Sequence, residues 1–295
     1  MNSLPKKYLF FLLACLIALA MMFGPIKGLL QAKTHSEYYS HIVLIPFVSA
    51  YLIFNKRREV RSAKAKIFKP AIALAAFGLG LYVFGYNHES NLNPNDQTSL
   101  MIVAAVLFLI GSFIFTYGLD LFKKLCFPLL FLFFMVPFPT FLMDSFIRLL
   151  QVGSTEFVNV LMMATGVPFL RDGFVFHLSG MSIEVAKECS GIRSSLALLI
   201  TALLAGYLFL KTGWKKVLLA VLIIPITMFK NGIRIVSLTL LGTYVDSRIL
   251  TNSTLHTDGG ILFFVLALML MAPILYVLRK GEKEKVMREG KLPLA

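Results

Sequence analysis

The sequence predicts an all-α polytopic membrane protein of about eight transmembrane helices with both termini in the cytoplasm. Three observations lead there. Of the 295 residues 58% are hydrophobic and only 15% charged, with a mean hydropathy of +0.79, whereas a soluble domain carries roughly one-quarter charged residues. Runs of about 20 apolar residues recur, each long enough to cross roughly 30 Å of hydrocarbon as a helix. The basic residues, finally, are gathered in alternate loops.

The apolar runs place spans at about 8–26, 38–54, 70–86, 98–119, 125–143, 192–210, 217–245 and 259–278. Residues 55–69, NKRREVRSAKAKIFK, hold seven Lys/Arg, and the next loop, NHESNLNPNDQ at 87–97, holds none. The first is therefore cytoplasmic and the second outside. Alternation from there leaves 20 of the 29 Lys/Arg on the inner side. Topology thus accounts for the formal charge of +14; a nucleic-acid surface would need its cations on one accessible domain, so nucleic acid is excluded as a partner. The lipid bilayer is the main solvent. Lys6, Lys7 and the pattern Ala18-Leu19-Ala20 have the outline of a signal peptide. The apolar run continues to Phe23, however, and its loss would break the alternation, so it is retained as the first span.

The chain reads as one domain, without long-period repeats or a second soluble unit. A five-helix part covers 8–143, an outer segment 144–188, a three-helix part 189–278, and a basic cytoplasmic tail, expected to lack order, 279–295. Pro137 and Pro139 are expected to break the fifth span at its outer end. In DSFIRLLQVGSTEFVNVLMMATG, Asp144, Arg148 and Glu156 interrupt apolar residues at helical spacing. That suits an amphipathic helix in the outer leaflet, with a further crossing as the alternative. FVFHLSGMSIEV, 174–185, has two short β-prone runs about Ser179-Gly180 and predicts a small hairpin.

The hairpin leads into Cys189, in KECSGIRSS, where a polar run gives way to the sixth span. A thiol at a helix start meets unpaired N–H groups and the positive end of the helix dipole, which favour thiolate and can bind an oxyanion. Ser190 and Gly191 allow close backbone approach. A buried, inert cysteine is the competing reading. Asn231 and Arg234, in KNGIRIV, share a face of the seventh span, and Arg234 stands roughly 25 Å above Val217, near the outer edge of the hydrocarbon. An intramembrane arginine is a functional candidate unless it snorkels to headgroups; Lys230, on another face, is expected to snorkel. His256 lies in the outer loop TNSTLHTDGG. Thiol, guanidinium and imidazole are thereby brought to one depth on one side, and thiol plus imidazole is a nucleophilic pair.

Glu188 and Arg193 flank the cysteine and either pair with each other or read a substrate charge. His41, at the outer end of the second span, belongs to the site or only hydrogen-bonds locally, and His35, His88 and His177 are expected at the surface. Cys15 and Cys126 lie in other spans and are too few for a disulfide framework. There is no CxxC pair and no metal-ligand spacing, so neither metal nor other cofactor is expected.

ECSGIRS at 188–194, NGIRI at 231–235 and the His256 loop followed by Gly259 and an apolar span resemble the exosortase/archaeosortase family of membrane-embedded cysteine transpeptidases. YYSHIVLIPFVSAYLIF at 38–54 and FPLLFLFFMVPFP at 127–139 look like that family's N-terminal half, so the similarity runs from about 38 to 278. The resemblance implies a sorting enzyme acting on exported proteins that end in a short motif such as Pro-Glu-Pro, one transmembrane helix and a basic stub. It equates Cys189, Arg234 and His256 with the family's three site residues. Histidine at the third position implies a bacterial member in the cytoplasmic (inner) membrane with its site at the outer face, acting without a metal; the acceptor of the cleaved protein is unspecified. The alternatives are a peptidase that only hydrolyses, and a transporter or channel with Arg234 in its path.

Overall fold

The computed structural model describes residues 6–31, 39, 41–62, 67–88, 92–187, 191–245 and 259–288. The protein is an all-α membrane protein carrying one small three-stranded sheet. Among the described residues, five helices are long and apolar enough to cross a bilayer: α1 (Lys6–Gln31), α5 (Pro94–Tyr117), α9 (Ile192–Phe209), α10 (Gly213–Tyr244) and α11 (Gly259–Arg288). Their outward faces are apolar: Phe23 is 70% exposed, Val217 64% and Ile261 73%. That is the surface expected where the surroundings are lipid.

Three of the expected spans are not single helices of that length. α2 (Leu44–Asn55) has 12 residues and α4 (Ala71–Asn87) has 17. The fifth is broken: α7 (Cys126–Phe131) tightens into a 3₁₀ turn, Leu132–Met135, and a new helix, α8 (Thr140–Thr165), starts beyond Pro137 and Pro139. Short helices α3 (Arg57–Ser62) and α6 (Leu119–Lys124) fill the loops at 56–62 and 118–124.

Chain contacts divide the protein into two units, Met1–Met143 and Asp144–Ala295. In the first, α5 is central, with Ile102, Ala104, Ala105 and Val106 fully buried. α4 lies tight against it at small residues: a Cβ on Gly78 would stand 2.6 Å from the Phe108 amide nitrogen. Such contacts let backbones approach where there is no hydrophobic drive between helices. α1 packs there too through Phe11, edge-on to Phe113 and Tyr117 with ring centroids 5.5 and 5.3 Å away.

The proline break is held by the first turn of α5. Asn93 caps that helix, its side chain accepting the Asp96 amide at 2.8 Å with Pro94 in the first helical position. Asn95 Nδ2 donates to Phe138 O (2.8 Å), and Ser99 Oγ lies 2.8 Å from both Pro137 O and Asn95 O. The Asp96 carboxylate accepts the Thr140 amide (2.6 Å) and hydroxyl (3.0 Å). Prolines remove backbone donors and leave carbonyls unpartnered, and the polar turn 93–99 supplies the missing partners.

In the second unit, α9, α10 and α11 share a core of Leu198, Ala202, Leu219, Ile223, Ala267 and Met271. The expected hairpin is present as β2 (Val175–Leu178) and β3 (Met181–Glu184), turning at Ser179-Gly180 where Gly180 has φ 102°. A third strand, β1 (Phe169–Asp172), pairs antiparallel with β2 through Gly173 and was not expected. The sheet buries Phe176 and Leu178 with Val158 and Met162 of α8 and Val236 of α10. α8 is amphipathic as expected but begins at Thr140; Leu150, Gln151, Ser154, Thr155, Val158 and Met162 form its buried stripe.

The basic tail does not leave the helix at residue 278, since α11 continues to Arg288. The reason is tertiary. The Glu282 carboxylate accepts the amides of Lys211 (2.9 Å) and Thr212 (2.8 Å) at the start of α10, and Lys215 Nζ donates to Leu278 O (2.7 Å). A carboxylate is favoured at a helix N-terminus.

Asp96→Ala should lower stability by about 1.5–3 kcal/mol, the range for hydrogen bonds to a charged group. Thermal unfolding in detergent micelles reads this, and Asp96→Asn should lose less.

Candidate active site

The chain enters α9 through Gly191, the last residue before the helix, in the left-handed conformation (φ 69°, ψ 23°). Its carbonyl accepts the Ser195 amide at 3.0 Å and lies 3.0 and 2.9 Å from the hydroxyls of Ser194 and Ser195. A Cβ there would stand 3.1 Å from Asn231 Oδ1 and 3.3 Å from Lys230 Nζ. Glycine thus meets two demands at once, positive φ and close approach of α10.

α10 begins at Gly213, four residues before the expected start at 217, so Arg234 stands about 31 Å along the helix from its origin. Asn231 is fully buried and its Nδ2 donates to Ser154 Oγ on α8 at 3.1 Å. Lys230 does not snorkel: it is 2% exposed, and its Nζ donates to Ser194 Oγ at 2.6 Å. The stem of a lysine reaches headgroups only where its helix face meets lipid. Lys230 shares its face with the buried Ile226 and Thr227 and with Arg234 one turn on. Gly232, next to Asn231, lets α8 close in, since a Cβ would stand 2.9 Å from Phe157 Cβ. α8 is further tied by Gln151 Nε2, which donates to Val185 O at 2.7 Å where the sheet ends.

A polar cluster of the buried Lys230, Asn231 and Ser154 and the half-buried Gly191 and Ser194 thus surrounds the head of α9, with the half-buried Arg234 one turn beyond Lys230 on α10. Arg193 is exposed. Glu188, Cys189, Ser190 and His256 lie outside the described residues, as does His35. His41 is half-buried at the start of α2, where its carbonyl accepts the Leu44 amide at 2.9 Å. His177 is exposed, as expected, and its Nδ1 lies 2.8 Å from Ser182 Oγ across the hairpin, whereas His88 is half-buried at the end of α4 with its ring stacked on Phe84 (centroids 4.2 Å). Cys15 and Cys126 are free thiols in the first unit.

The sequence reading missed Lys230, Ser194 and Ser154. A signal for Lys230 was available: four residues separate it from Arg234, which puts both cations on one face of an apolar helix. Ser154 could be read only from the buried stripe of α8, which needs the fold.

The family model described as transmembrane exosortase matches residues 32–273. The chain belongs to the transmembrane exosortase family. The matched range contains Cys189, Arg234 and His256 together with the whole polar cluster on α8, α9 and α10. Neither curated proteins nor solved structures give a match. Exosortase membership agrees with the multi-pass helices and with the broad activity implied by the resemblance, a membrane-embedded transpeptidase acting on exported proteins.

Gly191→Ala should cost this exosortase about 1–2 kcal/mol from the left-handed backbone alone. Gly213→Ala, where nothing stands within 4 Å of the added Cβ, is the matched control and should melt like wild type.

Proposed function

We propose that this exosortase is a cysteine transpeptidase of the bacterial cytoplasmic membrane that removes a C-terminal sorting tail from exported proteins. The carrying observation is the family match over 32–273, within which Cys189, Arg234 and His256 fall at the positions that the resemblance equates with its site residues. Cys189 is the nucleophile. Its proton passes to His256, the sulfur bonds to the substrate carbonyl carbon, and the carbonyl becomes an oxyanion. Collapse breaks the C–N bond, the leaving amine takes the proton back from His256, and a thioester remains. An amine or hydroxyl acceptor then gives its proton to His256, attacks the thioester and releases the thiol; with water as acceptor the outcome is hydrolysis. Arg234 holds the oxyanion or a substrate carboxylate, worth several kcal/mol where water is scarce. Asn231, Ser190 and Gly191 shape the approach to the cysteine. Glu188 and Arg193 flank it, and no metal or cofactor takes part. The substrates end in a short motif such as Pro-Glu-Pro, one transmembrane helix and a basic stub.

The chain crosses the membrane eight times, with α2, α4 and the broken α7 segment as the shorter crossings and both termini inside. Three sets of contacts support this sidedness. Lys56 Nζ donates to Lys124 O at 2.8 Å, joining two loops assigned to the inner side. Glu282 joins the end of α11 to the loop at 211–212, also inner, and the turn 93–99 joins 137–140, both outer. The cysteine, arginine and histidine then share the outer boundary, with α8 and the sheet beside them as an outer segment.

Co-expression with a tailed substrate, followed by mass spectrometry of tail loss, tests the chemistry. Cys189→Ala should abolish processing, and full processing by that variant rules the nucleophile out. Arg234→Lys keeps a charge but loses the planar fork, and turnover should fall at least about tenfold.

A further inference from the structure

Lys230 is the charged member of the polar cluster, and the mechanism above leaves it unused. It is 2% exposed in a membrane span, and among the described residues its ammonium donates to one partner, the neutral Ser194 hydroxyl at 2.6 Å. Among the described residues the one salt bridge joins Arg171 to Glu156 at 2.7 Å, on β1 and α8. Burying a cation against a neutral oxygen is costly, and a methionine of similar length would fill the same space without that cost. The ammonium nevertheless points at the head of α9: Ser194 is in the first turn, and a Cβ on Gly191 would stand 3.3 Å from Nζ. Gly191 follows Cys189 by two residues, so two peptide units bound their Cα separation at about 7 Å. A fixed charge beside Gly191 is weakly screened where water is scarce, and it bears on an anion forming two residues away.

We propose that Lys230, anchored on Ser194 and set against Gly191, is a positioning and electrostatic residue that favours the anionic form of the Cys189 sulfur, a part distinct from that of Arg234. The inference rests on Cys189 being the nucleophile. Arg234 on α10 and Arg193 on α9 are the other cations of these two helix ends. Lys230 is the one shown to donate to Ser194 Oγ. Lys230 sets the charge behind the helix start.

The test reads the thiol and not turnover. In the full-length protein with Cys15→Ala and Cys126→Ser, Cys189 is the sole thiol, and its rate of alkylation by neutral iodoacetamide is measured against pH. Lys230→Met should slow alkylation about tenfold at pH 7 and move the midpoint up by about one pH unit, since one unit corresponds to a factor of ten. Lys230→Arg should restore most of the rate. A folded Lys230→Met protein with an unchanged midpoint, checked by gel filtration and melting, overturns the proposal. If Lys230→Met is not recovered folded, Ser194→Ala frees the anchor and should shift the midpoint the same way by less; no shift there overturns it equally. Tail cleavage that survives complete alkylation of Cys189 defeats the nucleophile assignment instead, whatever Lys230 does to the profile.

Discussion

Hydrocarbon offers no partner to a polar group, so each one carried into it must be met by another part of the chain. The Lys230 ammonium and the Asn231 side-chain nitrogen meet this demand in the C-terminal half of α10, against Ser194 and Ser154. Their placement depends on two glycines. Gly191 gives α9 a start without a side chain in the way, and Gly232 lets α8 come close enough for Ser154 to reach Asn231. The polar cluster and the helix packing are thus one structure: moving any of α8, α9 or α10 would leave an amide or a cation in lipid.

The same constraint explains the break near residue 137. A helix continued through VPFP would expose carbonyls that no intrahelical donor can reach, and the chain instead surrenders them to Asn95 and Ser99, with Asp96 receiving the new helix at Thr140. The polar turn NPNDQTS, read from sequence only as the end of an outer loop without Lys/Arg and the start of a span, is therefore the clamp that redirects the chain into α8. At the opposite end of the second unit Glu282 has the matching task, closing the open amides of α10 with a carboxylate from α11.

Helix existence was legible because apolar runs and alternating basic loops reflect the solvent, and lipid imposes that pattern on every span independently of partners. The hairpin was legible because Ser179-Gly180 separates two β-prone runs. β1 was not: Phe169-Leu170-Arg171-Asp172 alternates too briefly, and pairing with β2 through Gly173, with Arg171 pinned to Glu156, makes it a strand. The onset of α8 at Thr140 and the length of α11 were hidden for a similar reason, since Asp96 and Glu282 stabilise them from far along the chain. Of the site, the sequence alone singled out Cys189, Arg234 and His256, and the described structure contains only Arg234 among them; the assignments to Cys189 and His256 therefore stand on motif and family.

Lys230 shows how a single-residue rule can mislead in a membrane. Its length and position near the outer boundary favour snorkelling when the helix is considered alone. Helix packing decides otherwise, because the face shared with Thr227 and Arg234 is turned inward and the headgroups are out of reach for a side chain already spent on Ser194. A charge so placed raises the energy of the folded protein relative to an apolar side chain. Its retention beside the start of α9 is accounted for if an anion forms there during the reaction, since the cation then stabilises that state more than it burdens the resting one. Arg234 lies half-buried one turn further along the same helix, so the two cations stand at different depths.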